Sequence, residues 1–194
     1  SDASRRDVLR TLNISDPRAD RVRVVPNGVA PEYKPAARRE AATRTILYVG
    51  RFDPYKNVPG LLRAFARLRE TEPDVRLKII GPPDSRYPEA PRLAHDLGLD
   101  PWIDWVGYAS GEELAQAYRD CGVFALLSKY EGFGLTVLEA MASGAPVVCS
   151  NRSSLPEVAG DAALMVDPDD IEAAARAMHR VLADSRVAED LRDR

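Results

Sequence analysis

The sequence predicts an α/β fold: a parallel β-sheet with helices on both faces. Three observations carry this expectation. From residue 45 to the end, short β-branched or aliphatic runs alternate with segments of helical periodicity. That alternation marks βαβ units, whose crossovers place helices against a parallel sheet. Several runs end in glycine, at Gly50, Gly81 and Gly107, as tight strand-to-helix turns require. The runs at 123–127 and 146–149 are almost wholly apolar, as strands buried on both faces should be.

The elements follow in order. A first strand is expected over 21–25, closed by the Pro26-Asn27-Gly28 turn. Residues 31–43, polar and rich in proline and alanine, read as a loop or linker. A second strand spans 45–49. Residues 58–70 form a helix with Leu61, Leu62, Phe65 and Leu68 on one face. A strand at 75–80 precedes a helix at 89–97 capped by Gly98. A strand at 102–106 leads to a helix at 110–119, where Ser110 is the N-cap and Glu113 its capping-box partner. The apolar strand 123–127 is followed by a short helix, 136–142, stopped by Gly144. Strands at 146–149 and 162–166, a helix at 169–182 and a last helix from Val187 complete the chain. There is no internal repeat or low-complexity tract. Ligands bind such sheets at the carboxyl ends of the strands, so the loops at 50–57, 107–111 and 128–135 are the candidates.

A length of 194 residues suits one such domain, and 45% apolar residues supply an ordinary core. With 27 basic and 30 acidic residues the net charge is −3. Broad nucleic-acid or membrane binding is therefore not expected, and any phosphate site must be built locally. Cys121 and Cys149 border apolar runs and read as buried, reduced thiols. His95 and His179 fall in expected helices with no second metal ligand nearby. No signal peptide and no membrane-spanning run is present, so a cytoplasmic setting is the default expectation.

The chemistry concentrates in residues 128–141, SKYEGFGLTVLEAM, which leave the most apolar strand and open a helix. Gly132 and Gly134 let backbone amides approach a ligand, and the helix N-terminus behind them favours an anion. Glu131 and Glu139 bracket this turn. A carboxylate would repel a phosphate, so they should face hydroxyls or a developing cation. Two plainer readings stay open: Glu139 as the capping-box partner of Thr136, and Glu131 as a solvated loop residue. In the loop at 50–58, GRFDPYKNV, Arg51 offers a planar fork and Lys56 a point charge, the two cations a diphosphate needs. Asp167-Pro168-Asp169 spells a D-x-D metal motif. It directly precedes a helix, where aspartates at the N-cap and first turn are expected, so no metal is assigned to it.

The block EGFGLTVLEAMASGAPVV at 131–148 resembles the signature of the large retaining glycosyltransferase family 4. The loop at 50–58 resembles that family's G-R-x-x-x-x-K-G/N segment, and VPNGV at 25–29 its V-x-P-N-G-V segment near the interlobe hinge. The family often continues with Asp where this chain has Ala30, which weakens any hinge or donor contact implied for that position. The segments at 105–108 and 153–158 fit as well. The resemblance implies a Rossmann-like domain, the C-terminal lobe of the GT-B fold, binding a nucleoside-diphosphate sugar as donor substrate, with no metal and no cofactor. It implies that Glu131 lies near the donor sugar, with Arg51 and Lys56 neutralising the diphosphate. It also implies that Glu139 accepts hydrogen bonds from the ribose hydroxyls, and that the amides around Phe133, Gly134 and Leu135 meet the distal phosphate. Tyr108 follows the strand whose backbone meets the base; it either stacks there or packs. The Gly81-Pro82-Pro83 turn lacks the family's Gly-x-Gly, and proline removes donors, so no phosphate contact is carried to it.

The resemblance covers nearly the whole chain but one half of such an enzyme. Residues 1–44 then include the interlobe linker region, and the acceptor-binding N-terminal lobe would be the missing partner and the one route to any membrane association. The expected function is transfer of a hexose, of mannose or glucose type, to an acceptor hydroxyl with retention, this half alone being inactive. The alternatives are a nucleotide-sugar epimerase of the same architecture and a non-catalytic nucleotide-binding module.

Overall fold

The computed structural model describes residues 1–15, 18–36, 43–82 and 84–194. Six strands form one sheet: β1 Thr45–Val49, β2 Arg76–Ile80, β3 Ile103–Val106, β4 Val123–Leu126, β5 Val147–Ser150 and β6 Ala163–Val166. Their order is β3-β2-β1-β4-β5-β6, and every adjacent pair is parallel. The chain works outward from β1 to β3, returns to the middle at β4, and works outward again to β6. The direction reverses between β1 and β4, the position where a doubly wound sheet leaves a crevice at its carboxyl end. Both faces are covered, as expected. All residues of β4 and β5 are buried although alternate side chains point to opposite faces.

The layers are built from helices α2 Val58–Arg69, α3 Glu89–Asp96, α4 Gly111–Asp120, α5 Leu135–Ala142, α6 Leu155–Ala159, α7 Ile171–Ala183 and α8 Ser185–Asp193. α2 lies along α7 and beside α3, while α5 contacts α4 and α6. β4 and β5 touch both α5 and α7. The apolar face expected of α2 is the one buried: Leu61, Leu62, Phe65 and Leu68 are each at most 2% exposed. Each such side chain contributes about 1.5–3 kcal/mol of transfer free energy. α4 carries the expected capping box: Glu113 N–H donates to Ser110 Oγ, and Ser110 N–H donates to the Glu113 carboxylate at 2.8 Å. Gly98 takes the left-handed conformation, φ 66°, just past α3. Cys121 and Cys149 are free and buried, and burial pushes both thiols up to about 12.

The amino end departs from the expectation. Residues 21–25 do not form a strand: Arg18–Arg21 is a 3-10 turn, and the residues after it pair with no strand of the sheet. Val25 is 81% exposed. A β-branched run becomes a strand only by pairing with a sheet edge, and here the Val22 carbonyl accepts from the Arg5 guanidinium at 2.7 Å instead. Residues 2–11 form a helix, α1 Asp2–Thr11, that the apolar pattern did not announce because it buries little besides Ala3. The loop expected at 31–43 lies partly outside the described residues, at 37–42, as does Pro83. Asp170, rather than Asp169, caps α7, accepting from Ala173 N–H at 2.8 Å. Among the described residues no helix is long and apolar enough to cross a membrane.

Candidate functional site

Two loops meet at the reversal between β1 and β4. The first follows β1 and is anchored along its length. Tyr48, fully buried in β1, donates its hydroxyl proton to the Arg51 carbonyl at 2.7 Å. A 3-10 turn over Pro54–Lys56 ends at Asn57, whose φ of 54° swings the chain into α2. The Asn57 side-chain amide donates to the Pro168 carbonyl at 2.8 Å. Within this frame the Arg51 guanidinium forks onto the Asp53 carboxylate through two 2.7 Å bonds, while its side chain stays 60% exposed.

The second loop follows β4 and is tied to the first, Lys129 N–H donating to the Tyr55 carbonyl at 2.7 Å. Lys56 reaches across and donates to both Glu131 oxygens, at 2.7 and 3.0 Å. The side chains are 15% and 10% exposed, so this is a largely desolvated ion pair. Glu131 is thus no solvated loop residue. Its carbonyl accepts from Ser153 and Ser154 hydroxyls at 2.6 and 2.8 Å, and the Ser154 hydroxyl also lies 2.8 Å from the Phe133 carbonyl. Ser153 and Ser154 carry no mark of this role in the sequence, because hydroxyls gripping a distant loop leave no local pattern.

Gly134 then turns the chain into α5. It is the N-cap with φ 103°, and a Cβ there would sit 2.6 Å from Leu155 Cδ2. No described side chain caps this end, so the first-turn amides of α5 face the loop unsupported by a cap. Phe133 is half-buried and Leu135 exposed beside them. Farther along α5, Glu139 accepts a hydrogen bond from Tyr118 at 3.1 Å. Thr136 is already inside the helix, so the T-x-x-E spacing makes no capping box. Burial holds the Glu139 carboxyl above its usual range, against the opposing effect of the Tyr118 hydrogen bond.

α1 braces the second loop from outside. Ser1 and Ser4 hydroxyls donate to the Gly132 carbonyl. Glu157 of α6 accepts from the amides of Asp2 and Ala3, both at 2.7 Å, and pairs with Arg6 at 3.3 Å. The Tyr130 hydroxyl meets Asp7 at 3.0 Å. An anion at a helix N-terminus is favoured by the exposed amides there, and here Glu157 supplies it.

Tyr108 is 86% exposed, so of its two readings packing is the one the structure does not show. Its neighbours Trp105 and Gly107 instead line a cavity of about 650 Å³ with Phe52, Gly81 and Tyr87, beyond the carboxyl ends of β2 and β3. The D-x-D aspartates are held by cations, Asp167 by Arg152 at 2.8 Å and Asp169 by Lys129 at 2.5 Å.

Residues 30–194 match the family of glycosyl transferases group 1. The chain belongs to that family. Among its relatives, the O-antigen chain mannosyltransferase B of Escherichia coli is 37% identical over 184 residues, covering 89% of this chain and 48% of that protein. The MMP alpha-(1->4)-mannosyltransferase of Mycolicibacterium hassiacum is 34% identical over all of this chain and 46% of its own length. The chain therefore spans about half the length of the curated relatives it matches. A solved C-terminal domain of a glycosyl transferase group 1 family protein from Francisella tularensis superposes with TM-score 0.74 at 25% identity, over 86% of this chain and 95% of that one. A glycosyltransferase from Rickettsia africae shares the fold, with TM-score 0.85 at 20% identity over 100% of this chain and 55% of that one. The group 1 architecture here is that of a GT-B C-terminal lobe.

Proposed function

We propose that this chain is the donor-binding half of a retaining glycosyltransferase that moves a hexose from a nucleoside-diphosphate sugar to an acceptor hydroxyl. The observation that carries this is the meeting of Lys56, Glu131 and the uncapped start of α5 at the reversal point of the sheet. Arg51, Lys56 and the amides around Phe133, Gly134 and Leu135 neutralise the departing diphosphate as its charge develops, which is where electrostatic stabilisation acts most strongly. Glu131 orients the sugar ring and stabilises the positive charge that grows on it. The incoming hydroxyl attacks on the leaving-group face, so configuration is retained. Glu139 accepts the ribose hydroxyls, and the base lies toward Tyr108. The reading assigns no metal and no cofactor. The mannosyltransferase names among the relatives favour mannose as the sugar. A second lobe supplies the acceptor.

Arg51 and Lys56 are each held by a carboxylate. The diphosphate therefore exchanges partners with Asp53 and Glu131 rather than meeting free cations. Calorimetric titration with ADP, GDP and UDP tests the reading. One of them should bind this chain, and the Arg51→Ala/Lys56→Ala double variant should bind it at least tenfold more weakly, since a charge-assisted hydrogen bond contributes about 1.5–3 kcal/mol. Equal binding by the double variant would remove both cations from the site.

A further inference from the structure

Tyr118 is a buried tyrosine with an unusual partner. It is fully buried on α4, and its hydroxyl donates to Glu139 Oε2 at 3.1 Å. Tyr118 is the hydrogen-bond donor recorded on that carboxylate among the described residues, and the one other charge that acts on it is the like charge of Glu32. A carboxylate offers about four acceptor positions, so most of those on Glu139 are left for something else. The ring of Tyr118 cannot shift to follow Glu139. Tyr33 packs against it edge-on at 5.9 Å and Phe124 at 5.4 Å, and Phe124 is fully buried in β4. The hydroxyl is thus a fixed point, and the half-buried carboxylate is hung from it by one oxygen.

A carboxylate in this setting suits neutral donors. An unpaired, half-buried charge gains most from hydroxyl protons delivered by a ligand, and a vicinal diol presents two of them. We propose that Tyr118 is a positioning residue: by fixing Glu139 Oε2 it aims the remaining acceptor positions at a ribose and sets the preference for ribo- over deoxyribonucleoside diphosphates. This rests on the reading that Glu139 meets the ribose. Tyr118 itself touches no ligand. Removing its hydroxyl leaves the ring packing intact and frees the Glu139 side chain to turn.

The test titrates ADP, GDP and UDP, and the 2′,3′-dideoxy counterpart of whichever binds, against the parent chain, Tyr118→Phe, Glu139→Gln and the double variant. The parent should prefer the ribonucleotide. Tyr118→Phe should weaken ribonucleotide binding about five- to tenfold, the range expected for one oriented hydrogen bond, and leave dideoxynucleotide binding unchanged. In the Glu139→Gln background the Tyr118→Phe change should have no further effect on the preference. The dideoxy arm doubles as the folding control. A Tyr118→Phe variant that weakens both nucleotides equally, or neither, on a parent that discriminates between them overturns the role of Tyr118 alone. A parent that binds both nucleotides equally overturns the ribose assignment of Glu139 and the proposal with it. A parent that binds no diphosphate overturns the donor-site reading as a whole.

Discussion

The Lys56–Glu131 pair is the residue-scale feature on which the site turns. Two opposite charges, 15% and 10% exposed, hold each other at 2.7 Å. Glu131→Gln leaves a largely buried ammonium without its counter-charge. Breaking a fully buried pair costs about 3–5 kcal/mol; the residual exposure here lowers the expectation to about 1–3 kcal/mol. For a chain of this size that is a fall in Tm of roughly 3–10 °C. The same change releases Lys56, so the variant should bind a nucleoside diphosphate at least as tightly as the parent while a full-length enzyme carrying it loses transfer. Unaltered melting together with near-parental turnover would dismiss both roles. Glu139 behaves oppositely. Burial raises its pKa above 4.5, so the folded state holds the proton more tightly than the unfolded chain does. Stability from this group is present below about pH 4.5 and is lost as pH rises through the folded value. Glu139→Gln should therefore melt higher than the parent at pH 7, and the gap should close as the pH falls toward 4.5. A gap that is constant with pH would mean the carboxyl carries no burial penalty.

At the scale of elements, the turn from β4 into α5 shows how little freedom the second loop has. Gly134 needs φ 103°, and the space for a Cβ is filled by Leu155 of α6. Gly134→Ala should cost about 2–4 kcal/mol, combining left-handed strain with overpacking, and should abolish diphosphate binding by rotating the α5 amides. Gly132→Ala, two residues earlier, meets nothing closer than Ser4 Oγ at 4.0 Å and should leave melting within about 0.5 kcal/mol of the parent. Differential scanning calorimetry of the two variants separates them; comparable losses would mean the loop is rigid for another reason. The same turn explains a misleading pattern. Thr136 and Glu139 have capping-box spacing, but the helix begins at Leu135 with Gly134 as its cap, so Glu139 turns inward to Tyr118. At Ser110 and Glu113 the identical spacing does make the box, because Ser110 is itself the extended residue before the helix.

For the whole molecule, the single sheet with both faces covered makes one core, which the group 1 domain should fold around without a second lobe. A thermal-shift series on this chain tests that. One cooperative transition is expected, raised by the nucleoside diphosphate that binds. At a ligand concentration of 100 times Kd the stabilisation is about 2.7 kcal/mol, or roughly 5–10 °C. On the proposed donor-half reading, in which a second lobe positions the acceptor, adding a nucleotide sugar with candidate acceptor alcohols should give no transfer. Positioning alone contributes up to ~7–11 kcal/mol of barrier lowering. Acceptor-dependent turnover by the chain alone would refute this half-enzyme reading.

Read from residues alone, the strand–helix alternation foretold the parallel sheet, because burial on both faces demands apolar runs and the turns demand glycine. It placed all six strands to within two residues, and it pointed to both loops that the structure brings together. It failed at 21–25, where β-branched residues have the composition of a strand but pair with neither edge of the sheet, and at α1, whose helix is stabilised by Glu157 rather than by an apolar stripe. Only the tertiary structure decided which loops meet. The strand order puts β4 beside β1, bringing Lys56 to Glu131 across 75 residues of sequence. It also decided that Arg51 and Lys56 are held by carboxylates, that Ser153 and Ser154 grip the second loop, and that the Tyr118 hydroxyl donates to Glu139. The physical reason is the same in each case. Periodicity reports what a segment buries, whereas a hydrogen bond or an ion pair between distant segments exists only once the sheet order has set them side by side.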